Sequence, residues 1–599
     1  MKQTEILIIG GGPAGLNAAL SASSLGARAL LVERNYVPGG QLVKQTHKFF
    51  GSEKQYAGDR GIQIGRILTE KAQADPNIEL WMDSTVLAIY DDGVVTVEHE
   101  GLYTKVKPER IIIAAGAAEK FLSFPGNDLP GIYGAGAVQT LMNEAGVKPA
   151  ERVLMVGAGN IGLIVSYQLL QAGVEVAAVI EGLPKIGGYL VHASKIRRAG
   201  IPVLTRHTIL EAYGRGQVEG AVIAQIDEKW RPIPGSEREI PCDTICLAVG
   251  LSPLTELAWQ AGCEMAYIRE LSGHVPIVDE NMETTRQGIY CAGDSCGIEE
   301  ASSAMVEGRL AGICAAASLG HGNENNRVGE RAVEILKIEA MKELDELRAG
   351  TMSEHIRIGV KKLVGSGGHG HKSIYHDETG QINMSKSIAE AAEATEKAKA
   401  AEAAETAEKA KTAEIDETGA SDKNNGSDSS AGLGTLLTDG IPVAADLASV
   451  NPSEARLKKG PVAIVECFQM IPCNPCVKAC KQGAITMPRD INDLPIVDAE
   501  LCSGCGRCIA LCPGLAVFVV DRTYSEEMAL VKLPYEFTPK PKAGQFVAGF
   551  DRAGKELGKF EVKKVTTGGK KNLTSVISLA VPQDLALEIR HIKVDIRQG

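Results

Sequence analysis

Eight of the fourteen cysteines lie between Cys467 and Cys512, and their spacing is the strongest chemical signal in the chain. One run reads Cys502-x2-Cys505-x2-Cys508-x3-Cys512-Pro513. The other reads Cys467-x5-Cys473-x2-Cys476-x3-Cys480 and is followed by Gly483-Ala-Ile485. So dense a block in a long chain reads as metal binding rather than as a disulfide framework. Thiolates this close together on a loop can wrap several irons of one cluster. Zinc is the competing metal for four thiolates, but tandem runs with a long gap and a Cys-Pro ending point to iron and sulfide. The other six cysteines, Cys242, Cys246, Cys263, Cys291, Cys296 and Cys314, are expected to be small core hydrophobes.

A second kind of chemistry is carried by glycines. Gly10-Gly-Gly12-Pro13-Ala14-Gly15 follows the apolar run Ile6–Ile9 and precedes a helix-forming stretch. The first glycine makes a tight turn, the second lets backbone N–H groups approach a pyrophosphate, and the third lets helix pack on strand. The pyrophosphate would sit at the positive end of the helix dipole, and Glu33 is placed for ribose hydroxyls. Val153-Leu-Met-Val-Gly157-Ala-Gly159-Asn160-Ile161-Gly162 repeats the pattern, with Glu181 as its acid. That acid favours NAD(H) over NADP(H), because it accepts from a ribose 2′-OH and repels a 2′-phosphate. Lys185 and the Arg197-Arg198 pair keep NADP(H) open.

These motifs resemble known families. The Cys502–Pro513 run resembles bacterial ferredoxins. That resemblance implies one [4Fe–4S] cluster on Cys467, Cys473, Cys476 and Cys512, and another on Cys480, Cys502, Cys505 and Cys508. The first run departs from the pattern: Met470 stands where a cysteine belongs and Cys467 lies three residues earlier. Either the loop is altered or the first cluster has three protein ligands.

Gly288-Ile-Tyr-Cys-Ala-Gly293-Asp294 resembles the segment with which two-dinucleotide flavoproteins hold the ribitol of FAD, and Ile111–Gly116 resembles the strand and turn leading out of such a domain. The first motif is therefore assigned to FAD, with Arg34, Gly40, Gln41, Val86, Ala115 and Gly116 as further contacts and Gly40 and Gln41 nearest the isoalloxazine. The second motif, with Gly250, is assigned to NAD(P). Residues 1–320 resemble the α-subunits of sarcosine oxidase, opine oxidase and hydrogen-cyanide synthase through Pro38-Gly-Gly-Gln-Leu42, Leu129-Pro-Gly-Ile-Tyr-Gly-Ala-Gly136 and both glycine fingerprints.

The resemblance implies hydride exchange between NAD(P)H and FAD and single-electron exchange with two clusters, together with redox partner subunits or a ferredoxin. The alternative is a relay component, of an amine or hydroxy-acid dehydrogenase or of a flavin-bifurcating transhydrogenase, whose substrate site lies on a partner. His47 is the nearest conspicuous acid/base candidate; its competing reading is a surface or capping histidine.

Positioning these groups needs several domains, and 599 residues allow three or four. The expected fold is α/β: two Rossmann-like domains, the second inserted in the first, then a flexible linker, an α+β dicluster ferredoxin-like domain and a small β module. The expected boundaries are 1–150 and 271–325 for the FAD domain, 151–270 for the NAD(P) domain, and 326–385 for a helical extension. A low-complexity linker is expected over 386–458, the cluster domain over 459–522, and the β module over 523–599.

A net charge of −12 argues against a nucleic-acid surface. No apolar run is long enough to cross a bilayer. The apolar N-terminal stretch runs straight into Gly10-Gly-Gly12, so a buried strand, and a cytoplasmic protein, are expected.

Overall fold

The computed structural model describes residues 1–322, 327–366, 435–569 and 572–595. The Ala/Glu/Lys-rich stretch expected as a linker over 386–432 lies outside the described residues.

The first sheet is built on the strand Lys2–Ile9, which pairs in parallel with Ala29–Val32 on one side and Leu102–Ile113 on the other. Ile6 to Ile9 are almost wholly buried, as a parallel strand covered on both faces requires. Ile78–Trp81 continues the parallel order, and Ser84–Ile89 and Val95–His99 form an antiparallel extension beyond Leu102–Ile113. Ile289–Cys291, more than 170 residues downstream, returns in parallel to Ile111–Ile113. This return proves the insertion: the chain leaves the first domain after Ile113, builds another, and comes back.

The inserted domain has its own parallel sheet, ordered Val203–Thr205, Glu175–Glu181, Arg152–Val156, Thr244–Leu247, Ile132–Gly134. An antiparallel three-stranded sheet, His207–Tyr213, Gly220–Gln225 and Arg238–Pro241, packs with it. The two crossing segments pair with each other, Ala117–Glu119 against Leu251–Pro253. The inserted unit therefore begins and ends nearer these crossings than the expected limits of 151 and 270. Ile132–Gly134 belongs to its sheet although it precedes the glycine fingerprint.

Two expectations about the C-terminal part need correction. Residues 435–458, expected as linker, carry the short helices Leu436–Asp439, Ala444–Ala448 and Glu454–Leu457. Leu436 is buried in the core of the inserted domain, which is what orders this stretch. Residues 523–599 are not a separate module either. Val462–Val465, Val517–Asp521, Met528–Tyr535, Ser575–Pro582, Glu556–Thr567, Phe546–Phe550 and His591–Lys593 form one antiparallel seven-stranded sheet in that order. The cysteine loops connect Val462–Val465 to Val517–Asp521, so the long sheet is their platform.

Helix Pro13–Ser24 starts with proline at its first position, where no N–H is needed. Helix Ala301–Ser318 crosses it at close range. A Cβ on Gly308 would lie 2.0 Å from the Ala14 carbonyl oxygen, and one on Gly312 would lie 2.3 Å from that of Ala18. Small residues on both helices thus let the backbones touch. Helix Arg327–Arg348 covers the other side and is tied down by Arg348, which pairs with Glu299 and Glu307. Among the described residues, no helix is long and apolar enough to cross a membrane.

Gly312→Val overpacks the helix crossing and is expected to cost about 1–3 kcal/mol. Thermal unfolding followed by flavin release checks this, with a lowered midpoint as the expected result.

Candidate functional site

The two glycine turns are built alike. Gly10 has φ +104° and Gly157 has φ +108°; a Cβ on either would strike a carbonyl oxygen of the neighbouring strand end, Ala114 or Ala248, at 2.3 Å. A Cβ on Gly15 would lie 1.8 Å from the Gly10 oxygen, and one on Gly162 would lie 2.0 Å from the Gly157 oxygen. These are the close helix–strand contacts that the third glycine of the motif permits. The middle glycines differ in kind. A Cβ on Gly12 would meet only the Gly40 Cα at 3.9 Å, and one on Gly159 would meet nothing within 4 Å. Both cap the start of a helix, Pro13–Ser24 or Asn160–Gln171, so free N–H groups face empty space.

The acids are built alike too. Glu33 Oε2 accepts from the Gly11 N–H at 2.7 Å and its Oε1 from Asn35 N–H at 2.9 Å. Glu181 Oε2 accepts from Ala158 N–H at 2.8 Å and its Oε1 from Leu183 N–H at 2.9 Å. Each carboxylate therefore braces its own glycine turn. Of the NADP-directed candidates, Arg198 is buried and donates to the Leu515 carbonyl at 2.7 Å, and Arg197 donates to the Ile201 carbonyl at 2.8 Å. Lys185 alone of the three is exposed.

A cavity of about 1210 Å³ runs from the first glycine turn to the second. It exceeds the usual drug-sized pocket and has room for an elongated dinucleotide. Gly10, Gly12, Pro13, Ala14, Glu33, Arg34, Gly40, Gln41, Val86, Ala115, Gly116, Gly293 and Asp294 all line it; Gly15 is packed behind. Gly159, Asn160, Ile161 and Gly250 line the same cavity, whereas Gly157, Gly162 and Glu181 do not.

The Gly293–Asp294 turn is held from below: Gly293 N–H donates to the buried Glu307 at 2.8 Å, and Gly116 N–H donates to Ser295 Oγ at 3.0 Å. Burial, with Glu299 and Glu300 nearby, pushes Asp294 up to about 7. An open helix-start cradle, a braced acid and a half-buried carboxylate at the far end fit the pyrophosphate, ribose and ribitol of FAD.

His47 also lines the cavity. Rather than lying free on the surface, it is half-buried and stacked on Phe49 at 5.3 Å, and its Nδ1 is shut from solvent without a protein partner. Burial, with Lys195 and Arg60 nearby, pushes it down to about 3, so the ring is neutral.

Four of the eight clustered cysteines gather at one cavity, and Cys508 lies near Cys502 and Cys505. Cys467, Cys473, Cys476 and Cys512 line one small apolar cavity with Phe50, Val191 and Ile471. Cys467 thus lines the same cavity as the others from its shifted position. Backbone N–H groups point at three of the sulfurs: Ala516 to Cys512 at 3.4 Å, Ala484 to Cys480 at 3.2 Å, and Ala463 to Cys502 at 3.4 Å. Such bonds stabilise thiolate charge. Burial pushes the Cys467, Cys476 and Cys508 thiols up to about 12, with neighbouring cysteines adding to it. Bound metal removes that penalty by deprotonating its thiols. Cys505 is exposed, in contrast. Among the described residues, no three His, Cys, Asp or Glu side chains sit close enough to clasp a single metal ion; the first four cysteines surround a cavity instead.

Phe50 lines both cavities, and Pro472, next to Cys473, lines the larger one. The flavin domain and the cysteine loop are stitched together there: Gly51 bridges Cys473, and Asn474 N–H donates to the Gly51 carbonyl at 3.1 Å. Phe50, Pro472, Ser295 and Glu307 have no local sequence signal, because each matters only through a contact made by folding.

Two nucleotide domains opening on one cavity, beside a double cysteine loop, define a flavin-dependent oxidoreductase with a 4Fe–4S dicluster domain. Residues 4–308, just over half of the chain, match the family described as pyridine nucleotide-disulphide oxidoreductase, and the chain belongs to it. Residues 471–516 match the family described as 4Fe-4S dicluster domain.

The chain is 33% identical over 334 residues to an opine oxidase subunit of Agrobacterium tumefaciens (strain Ach5), covering 53% of this chain and 66% of that one. It is 27% identical over 325 residues to the HcnB subunit of hydrogen cyanide synthase from Pseudomonas aeruginosa, covering 51% and 69%. It is 29% identical over 272 residues to the sarcosine oxidase alpha subunit of Rhizobium meliloti (strain 1021), covering 43% and 25%. The chain spans just under two thirds of two of the opine oxidase subunits it matches, 66% and 63%, and 72% of a third.

Gly12→Ala has room in the ligand-free fold but fills the pyrophosphate approach. An unchanged melting curve of the flavin-free protein with at least tenfold weaker FAD binding (about 1.4 kcal/mol) is expected, read by flavin fluorescence. Asp294 gives a pH signature. Its folded-state pKa of about 7 lies above the ordinary 3.8, so its protonated form is favoured by folding. Stability of the flavin-free protein is therefore full below about 3.8 and is lost as pH rises towards 7. Melting curves between those values should show the fall, and Asp294→Asn should reduce it, the remainder coming from Glu307, which burial also pushes up to about 7.

Proposed function

We propose that this chain passes electrons between NAD(P)H, a FAD held by Gly12, Glu33 and Asp294, and two [4Fe–4S] clusters. Cys467, Cys473, Cys476 and Cys512 hold the first cluster; Cys480, Cys502, Cys505 and Cys508 hold the second. Bound flavin supplies the two-electron to one-electron conversion that links a nicotinamide to iron–sulfur clusters.

The observation that carries this reading is the shared wall: Phe50 faces both the nucleotide cavity and the first cysteine cavity. Gly159 and Asn160 open onto the same cavity from the second domain. Asn160 is fixed there by donating to Glu300 at 2.8 Å and accepting from the Tyr189 N–H at 2.7 Å. Glu181, oriented by Ala158 and Leu183, favours NAD(H), and the engagement of Arg197 and Arg198 elsewhere supports the same preference. The exposed Cys505 makes the second cysteine group the exit towards a redox partner.

A second reading is favoured by the relatives, which are named as subunits of opine oxidase, hydrogen cyanide synthase and sarcosine oxidase. On that reading a partner oxidises an amine or hydroxy acid and this chain relays the electrons.

Anaerobic stopped-flow mixing with NADH and with NADPH separates the two. Direct nicotinamide oxidation predicts bleaching of the flavin band, faster with NADH; bleaching by neither leaves only the relay. In the Cys473→Ser variant the bleaching should persist. Reduction of the second cluster, followed by freeze-quench EPR, should then slow at least tenfold, or about 1.4 kcal/mol of barrier.

A further inference from the structure

The ground between the three domains holds a surplus of buried positive charge. Lys48 and Arg60 come from the flavin domain, and Lys195 and Arg198 from helix Leu190–Arg198 of the inserted domain; all four are buried. Two buried carboxylates face them: Glu466, already shared between Arg552 and Arg590, acts on Arg198, and Glu536 faces the other three. Glu536, on the cysteine-bearing domain, pairs with Arg60 at 2.8 Å and lies 3.8 Å from Lys48. Burial alone would push Glu536 up, but Arg60 and Lys48 outweigh it and hold the carboxyl below its ordinary range. Lys195 has neutral neighbours, the Tyr167 ring at 4.2 Å and His192 Nδ1 at 3.3 Å, and burial pushes it down to about 7 against the pull of Glu536, so an added anion would hold its charge. Arg198 lies over Phe518 at 5.4 Å.

Two of the cations reach the cysteine loop through backbone. Lys48 donates to the Ala510 carbonyl, and Arg198 donates to the Leu515 carbonyl at 2.7 Å. Those carbonyls bracket Cys512, which lines the first cysteine cavity with Cys467, Cys473 and Cys476.

Buried charge without a counter-charge is strongly unfavourable, so a site with this surplus needs an anion. Four metal-bound thiolates provide one, and it becomes more negative with each electron taken up. The second cysteine group is set differently. Its buried cation, Arg456, spends its donors on the carbonyls of Ala499, Gly460, Pro461 and Cys502, and its Cys505 is exposed to solvent screening.

We infer that Lys48, Arg60, Lys195 and Arg198 form the counter-charge of the first cluster, so that the Arg198 and Glu536 charges tune that cluster's reduction potential and leave the second cluster's unchanged. The inference rests on the cluster assignment proposed above. Burial in a dry cavity disfavours the more negative reduced state; the cations oppose this and make the site next to the flavin reducible. Glu536 sets the balance from the other side.

The test is an EPR-monitored redox titration of the anaerobically purified holoprotein and three variants. Arg198→Met removes a permanent positive charge and should lower the first cluster's potential, Arg198→Lys should restore it, and Glu536→Gln should raise it. The second cluster should keep its potential throughout. Should Arg198→Met fail to load the first cluster while Arg198→Lys loads it, charge compensation is again supported; loss in both variants points to shape and overturns the inference. It is also overturned by potentials that ignore all three changes, or by Met and Gln variants shifting the same way. Wild-type protein without two EPR-active clusters overturns the cluster assignment itself, and this inference with it; two clusters indifferent to charge overturn the inference alone.

Discussion

Glu536 is where three domains of this chain meet, and the placing of the nucleotide cavity beside the cysteine cavity depends on that meeting. Its carboxylate pairs with Arg60 of the flavin domain, its backbone carbonyl accepts from Gln171 of the inserted domain at 3.0 Å, and Thr574 of its own sheet donates to it. A buried ion pair is a poor source of net stability, because desolvation offsets its attraction. What it does supply is register: removing one partner leaves a charge stranded in the interior, so the domains dock in one way. That docking puts Phe50 between the nucleotide cavity and the cysteine cavity.

A second buried carboxylate does the same work inside the cysteine-bearing sheet. Glu466, the residue before Cys467, pairs with Arg552 at 2.7 Å and Arg590 at 2.6 Å. Burial would raise its pKa, but the two guanidinium groups outweigh this and hold it at about 2. Arg590 also lies over Phe518 at 4.7 Å, on the strand that follows Cys512. The strand leading into the cysteine loops and the strand leading out of them are thereby clamped by residues from the last part of the chain. This explains why residues 523–599 share their sheet: they supply the clamp and most of the platform.

What was legible in the sequence was whatever chemistry demands at short range. Gly10, Gly12 and Gly15 read correctly as a turn because the requirement for no side chain is local, and the insertion was legible because the fingerprint is repeated. The cysteine spacing was legible for the same reason. The rest was set by contacts across the chain. Leu436 reads as linker until the core of the inserted domain covers it. Arg198 reads as a phosphate ligand until Phe518 and Leu515 take it inward. Nothing near Phe50, Glu307 or Glu536 marks them, because their partners lie hundreds of residues away or in a different layer. The module after Ala529 read as separate because strand pairing leaves no trace in the pattern of either strand.

The irregular first cysteine run shows how these levels constrain each other. A regular run places its first two cysteines three apart; here Cys467 and Cys473 are six apart, and the added residues are the ones that touch the nucleotide domains. Gln469 Oε1 accepts from the Leu190 N–H at 2.9 Å, Ile471 is buried with Tyr189 and Val191, and Pro472 reaches the nucleotide cavity. Cys473 is then held on both sides, by its bridge to Gly51 and by its N–H to the Ile491 carbonyl at 2.8 Å. A three-residue gap would hold the same thiols but leave no chain to fill the seam with Tyr189 and Phe50. The seam would then admit water, and the site beside the flavin cavity would lose the dry surroundings that make its charges count. The longer loop keeps a fourth thiol in the cavity while docking it against the nucleotide domains.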